Sequence, residues 1–372
     1  MIRLLLICIL FFLLYAAQLR VYRTLWLKQL KVVFSFSKAY IFQGEQGELQ
    51  EIIENKKRLP LAMLKVKFKA DRRLDFGAEK GSKTTDQYYR YDVFRVSGGE
   101  RVIRTLKFLG TKRGYYVIDG ADLLAADLFL TANFITSANI HAETYVYPKP
   151  WDSEEFRRAL TRLNGEILVR NNLLEDPFEY RGIREYQPFD SMRTINWKAT
   201  AKTGDLKVNL KNYTSLKYVR IFFNLQDDGI LKKEDCVEAS ISIVAGLCAG
   251  FLSQGLQVSC YGNGRDVETG QYVSISPKAG DGQMDTVYRT LARIDLEKPP
   301  VNFNDTFREK IMAFSGDVIT CFVSPNQYED FLELLGEYQL SGRDYRWFYP
   351  VYSNQMPTLP EELKGHVQMI RV

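Results

Sequence analysis

Histidine is nearly absent from this chain. Its 372 residues hold only His141 and His366, each far in sequence from any cysteine, so a histidine-based zinc site or a Ser-His-Asp triad has almost nothing to be built from. Cysteine is also scarce: Cys8, Cys236, Cys248, Cys260 and Cys321 form no C-x-x-C pair and no other close metal-ligand spacing. Four of them fall inside apolar helix or strand patterns, and they read as small buried hydrophobes in a reducing compartment, not as a disulfide pair or a catalytic thiol. An excess of one charge is missing too. Fifty basic residues against forty-five acidic ones leave a net charge of +5, which without clustering does not make a nucleic-acid protein. Internal repeats and low-complexity tracts are absent.

What is present is a chain 46% hydrophobic and 26% charged, the composition of a folded protein and not of a disordered or multi-span one. Its length allows two to three domains at about 150 residues each. The first segment stands apart. Leu4 to Leu19 (LLLICILFFLLYAAQL) carries no charge; Arg3 precedes it, and Arg20, Arg23, Lys28 and Lys31 follow. Ile2 and the stretch from Val21 to Leu27 can extend the run toward the roughly 30 Å of a hydrocarbon core if the arginines snorkel. Tyr15-Ala16-Ala17-Gln18 is a poor cleavage site, so a membrane anchor is expected over a cleaved signal peptide. The basic excess on the C-terminal side places the large soluble part in the cytoplasm by the positive-inside rule.

From residue 28 to 148 short alternating runs recur, among them KVVFSFS, AMLKVKFKA, YYRYDVFRVS, ERVIRTLKFLG and RGYYVIDG. Period-two runs at this spacing, without an intervening helix, predict a β-sandwich of immunoglobulin or fibronectin character. Residues 149–215 read as a linker with a short helical stretch (SEEFRRALTRL) followed by a polar segment without regular pattern. From Tyr218 strands and helices alternate: YVRIFFN, a long apolar helix from Glu234 to Gln254, LQVSCYGN, helices from Gln283 to Ile294 and around Phe307 to Phe314, DVITCFVS, a helix from Gln327 to Tyr338, and YRWFYPVY. That alternation predicts a mostly parallel sheet with helices on both faces over residues 216–372.

The most distinctive stretch is DPFEYRGIREYQPFDSMRTINWKATAKTGDLKVNL, Asp176 to Leu210. Its Phe178, Arg184, Tyr186, Pro188, Asp190, Arg193, Ile195, Trp197, Ala201, Lys202, Gly204 and Leu206 resemble the ordered signature of the bacterial domain-of-unknown-function family fifty-eight. Phe189, Asn196 and Lys202 depart from that pattern, where the family usually has glycine, aspartate and arginine. The resemblance implies an N-terminal membrane segment, a β-rich region and a C-terminal α/β domain of von Willebrand factor type A-like fold. It also implies a protein partner, with a MoxR-type AAA+ ATPase as the candidate, in assembly or maturation of a membrane-associated system.

From the residues themselves, Arg184, Arg193 and Lys202 with Glu185, Asp190 and Asp205 can form an ion-pair cluster around Tyr186 and Trp197. Such a cluster pins an irregular segment onto the α/β domain, with Trp197 as a buried plug; a partner-docking surface is the alternative. Neighbouring cations would keep Glu185 and Asp190 ionised, which disfavours acid-base catalysis there.

Type A domains end their first strand in Asp-x-Ser-x-Ser, whose oxygens hold magnesium. The matching positions here are Asn224, Gln226 and Asp228. Amides are poor substitutes for a hard cation's carboxylate and hydroxyl ligands, so no metal and no cofactor are expected. The loop Pro277 to Asp285 (PKAGDGQMD) lacks the spacing of a phosphate loop and reads as a turn before a helix. The sequence therefore predicts a non-catalytic, membrane-anchored interaction module. A magnesium-dependent adhesion or chelatase-like partner domain, using Asp227 or Asp228, is the competing expectation.

Overall fold

The computed structural model describes residues 2–77, 82–84, 87–173, 175–188, 190–213, 218–227, 229, 233–313, 318–355, 357 and 359–372. The chain forms two compact units, one essentially Met1–Lys149 and the other Pro150–Val372, except that Leu291–Arg293 cluster with the first.

The first unit opens with the helix Ile2–Leu25, about 36 Å long at 1.5 Å per residue. It is long and apolar enough to be a membrane span or a signal sequence. Its two halves differ. The large apolar side chains from Ile2 to Leu14 are exposed, whereas Tyr22 and, just past the helix, Trp26 are buried. Gln18, Tyr22 and Trp26 recur every four residues and so lie on one face. Gln18 Nε2 donates to Asp127 (2.8 Å), Tyr22 donates to the Pro60 carbonyl (2.9 Å), and Trp26 stacks on Phe134. The C-terminal half of the helix is thus part of the folded unit.

Behind it stand two β-sheets. One has four strands in the order Leu30–Phe36, Gln46–Asn55, Arg101–Gly110, Leu74–Asp75; the other has six, in the order Tyr40–Phe42, Asn133–Tyr147, Gly114–Ala126, Leu61–Asp71, Gln87–Val96, Ser82–Thr84. Burial alternates along Gln46–Asn55 and Leu61–Asp71, as a half-covered pleat requires. Phe34, Leu49, Ile53, Leu64, Val66, Phe68, Phe94, Phe108 and Ile118 fill one common core. A charged layer interrupts it. Glu51 from the smaller sheet lies fully buried, and Arg90 donates to Asp92 through Nε (2.6 Å) and Nη2 (3.2 Å), with Arg104 adding a third bond to Asp92 (2.6 Å).

In the second unit the strand Tyr218–Phe223 pairs in parallel with Gln257–Asp266 on one side and Ile319–Val323 on the other. Tyr345–Val351 and Val367–Arg371 extend the sheet in parallel, while Tyr272–Lys278 and Ile294–Asp295 add antiparallel pairing to Gln257–Asp266. Tyr218–Phe223 is buried nearly throughout, the pattern of a strand covered on both faces. Phe222 packs with Phe303, Phe307, Phe322, Phe331 and Trp347, contributed in part by the helices Phe303–Met312 and Glu329–Leu340. The helix Glu234–Leu252 is mostly buried, a core helix despite being apolar enough to cross a membrane. Against it packs a twenty-residue helix, Glu154–Leu173, nearly twice the stretch that periodicity suggests. Gly250 makes the approach possible, because a Cβ there would meet Leu160 at 2.5 Å.

The expected fold class is corrected. A type A-like α/β domain does not describe this chain, which is mainly β: among the described residues ten of nineteen strands build the two-sheet first unit, and the strand expected to carry the type A edge ends in amides that bond to one another instead of presenting ligands. The physical reason is chemical. An edge of carboxylate and hydroxyl oxygens stays open for a cation, whereas donor and acceptor in one amide side chain let such residues satisfy each other.

Candidate interaction surface on the signature segment

Residues 175–213 have more regular structure than their polar composition suggests. Glu175–Glu185 and Lys207–Tyr213 form a two-stranded antiparallel ribbon, with Gly182 opposite Leu210 and Glu185 opposite Lys207. Between them lie a 3-10 turn, Met192–Thr194, and a short helix, Trp197–Thr203. Asn196 starts the helix: its Oδ1 accepts from the Ala199 N–H (2.9 Å), while its Nδ2 donates to Asn209 Oδ1 (2.7 Å). Asparagine caps as well as aspartate does, and only the amide can add the second bond to a carbonyl oxygen. Gly204 ends the helix at φ 82°, the left-handed conformation that favours glycine.

The expected ion-pair cluster is smaller than the sequence suggests. Arg184 grips Asp190 with both terminal nitrogens, at 2.7 and 2.6 Å, and the Gln187 N–H donates to the same carboxylate at 2.8 Å. The Arg184 hydrogen bonds hold the Asp190 carboxyl below the usual carboxylate range. Lys207 pairs with Glu185 at 3.1 Å. Arg193, Lys202 and Asp205 are exposed and join no ion pair among the described residues. Tyr186 is half-buried and its N–H donates to the Leu206 carbonyl at 2.9 Å. Phe189 lies outside the described residues.

Trp197 corrects the expectation most sharply, since it is 63% exposed and plugs nothing. It occupies the first helical position after the Asn196 cap, and the turn that buries Ile195 against Val208 leaves Trp197 outside. Ile183, Met192 and Leu206 in the same segment are exposed as well. A pinned ribbon and helix therefore present an aromatic ring, three aliphatic side chains and the cations Arg193, Lys198 and Lys202 to solvent. That arrangement can dock a surface.

At the end of Tyr218–Phe223, Asn224 Oδ1 accepts from Asn263 Nδ2 (2.9 Å) and from the Gln226 N–H (3.0 Å), and Gln226 Oε1 accepts from the Phe303 N–H (2.9 Å). Asn263 returns the bond, its Oδ1 taking the Leu225 N–H at 2.8 Å. The amides seal this end of the sheet. Asp228 lies outside the described residues, and no group of three or more His, Cys, Asp or Glu side chains suited to a metal occurs among the described residues. Cys248 and Cys260 bring their sulfurs to 3.2 Å, but both are buried thiols, as are Cys236 and Cys321. Burial pushes the Cys321 thiol up to about 12 and raises that of Cys248, the opposite of a reactive cysteine.

No family model matches this chain, and no curated protein does. Solved structures that match part of it include a CARDB domain and cohesins. A CARDB domain of a Pyrococcus furiosus protein, in complex with two metal ions, is 14% identical over 32% of this chain and 94% of that one, with a TM-score of 0.22. A non-cellulosomal cohesin from Archaeoglobus fulgidus is 15% identical over 35% and 97%, with a TM-score of 0.23. A type I cohesin in complex with dockerin from Clostridium thermocellum is 9% identical over 32% and 99%, with a TM-score of 0.23. At these scores the likenesses carry no further argument.

Proposed function

We propose that this protein is a membrane-anchored, non-catalytic interaction module that docks a partner protein through its signature segment. The single observation that carries the reading is Trp197, exposed at 63% on a segment held by the Arg184–Asp190 pair. Exposed tryptophan on a pre-ordered scaffold is the residue type that dominates protein interfaces, because it brings large contact area at little entropic cost. Arg193, Lys198 and Lys202 around it favour a partner surface bearing carboxylates. The signature resemblance makes a MoxR-type AAA+ ATPase the first partner to try. The helix Ile2–Leu25 serves as the anchor, and the basic residues after it favour the cytoplasm for the rest of the chain. The sealed Asn224–Gln226–Asn263 edge supports a reading without metal. The test is co-purification of the full chain from membranes in mild detergent, beside Trp197→Ala. The proposal expects a partner protein that the variant loses while its melting curve is unchanged; equal recovery with both chains refutes it.

A further inference from the structure

A second feature of the first unit points toward lipid. The strands Gly114–Ala126 and Asn133–Tyr147 form a hairpin, and its turn carries Leu128, Phe129 and Leu130 at 51%, 53% and 59% exposure. Turn tips in water are normally built from glycine, proline and short polar residues. This tip instead spends its polar groups inward. Asp127 Oδ1 accepts from the Thr131 and Ala132 N–H groups (2.7 and 2.8 Å), and Oδ2 accepts from Thr131 Oγ1 (2.9 Å) and Gln18 Nε2 (2.8 Å). Leu130 is held at φ 60°, a conformation uncommon for leucine. The fold thus orders three apolar side chains outward.

The place where it does so is informative. The turn is fastened to the helix Ile2–Leu25 at Gln18 and at Tyr15, whose hydroxyl lies 2.9 Å from Thr131 Oγ1, and the Tyr15 and Phe129 rings are 6.3 Å apart. Tyr15 is also where the helix turns bare: from Leu14 back to Ile2 its large side chains are exposed. Tyrosine favours the interfacial layer of a bilayer, one end apolar and the other wet. Any bilayer that takes up the bare half of the helix meets the tip at the same level.

We propose that Leu128, Phe129 and Leu130 form a second membrane-contact element, inserting into the interfacial layer beside the helix. The occupant is the bilayer because the apolar surface is continuous, through Tyr15, with the exposed apolar half of the helix. With helix and tip both embedded, the sandwich is held against the membrane at two points. The inference rests on the anchor reading of Ile2–Leu25.

The test uses the full chain in vesicles of phosphatidylcholine and phosphatidylglycerol whose acyl chains carry bromine, a contact quencher. An environment-sensitive fluorophore is placed on the native Cys8, which is exposed in the helix, or, in a Cys8→Ser background, on Phe129→Cys, Leu128→Cys or His141→Cys. His141 is an exposed residue of the same hairpin, about ten residues and roughly 30 Å along the strand from the tip. The buried thiols stay unlabelled. The expected result is quenching at 128 and 129 comparable to that at Cys8, with a blue shift, and none at 141. Quenching at Cys8 with 128 and 129 behaving like 141 overturns the inference and leaves the anchor standing. Absence of quenching at Cys8 removes the anchor, and the inference with it.

Discussion

Glu51→Gln is expected to make the first unit more stable at alkaline pH and to flatten its pH dependence. Glu51 is fully buried between the sheets, and neither carboxyl oxygen has a hydrogen-bond partner among the described residues. Burial, then the neighbouring Asp92 carboxylate, push its pKa up from 4.5 to about 8 against the pull of Arg104 and Arg90. The native state therefore holds a proton that the unfolded chain releases above its ordinary carboxylate pKa. Linkage then fixes the sign: stability is unaffected below about pH 4.5, falls as pH rises from there, and levels off above about 8. A shift from 4.5 to about 8, at 1.36 kcal/mol per unit, puts the full loss on the order of 4 to 5 kcal/mol as an upper value. Glutamine keeps the shape and cannot ionise. Urea unfolding of the detergent-solubilised chain, followed by pulse proteolysis and mass spectrometry, reads the Met1–Lys149 unit by itself. The variant should match the wild type at pH 5 and exceed it by several kcal/mol at pH 9. Parallel pH profiles would refute the reasoning.

Three further outcomes follow from the same contacts. Asn263→Ala strands the Leu225 N–H at the sealed edge and takes one of two donors from Asn224 Oδ1; a buried group left unpaired costs about 1 to 3 kcal/mol, so the second unit should melt several degrees lower by differential scanning fluorimetry, and magnesium should not restore it. Asp127→Ala removes four hydrogen bonds at the hairpin turn and should speed protease nicking between residues 127 and 132. Those bonds outweigh burial and hold the Asp127 carboxyl at about 2, so in the wild type their contribution is present above about pH 4 and fades only as pH falls toward 2. Trp197→Ala should leave the unfolding free energy, read from urea denaturation, within about 0.5 kcal/mol of wild type, as for an ordinary surface site.

How much of this was legible in the sequence depends on how local the cause is. The helix Ile2–Leu25 and the strands of the first unit follow from uninterrupted apolar or period-two runs, and Glu234–Leu252 from one long apolar stretch. Long-range partners were not legible. Gln18 meets Asp127 across 109 residues and Asn224 meets Asn263 across 39, so nothing near either residue announces the docked helix or the sealed edge. The ribbon formed by Glu175–Glu185 and Lys207–Tyr213 escapes notice because it is charged on both strands and interrupted by bulges. Trp197 misleads for a different reason: residue type argues burial, but exposure is decided by the Asn196 cap, which sets where the helix begins. The type A assignment failed on chemistry that could be read in part, since Asn224 and Gln226 carry amides, while the mainly β character of the whole chain emerges only when the sheets are assembled.

The central claim is that Trp197 docks another protein while the N-terminal helix holds the chain at a membrane. Its most direct measurement replaces Trp197 by the photoreactive p-benzoylphenylalanine in the full chain, irradiates intact cells, and resolves the membrane fraction by mass. The account predicts a discrete covalent adduct to one partner protein, absent when the same group is placed at exposed Leu340. The absence of an adduct at 197, or an equal one at 340, contradicts it.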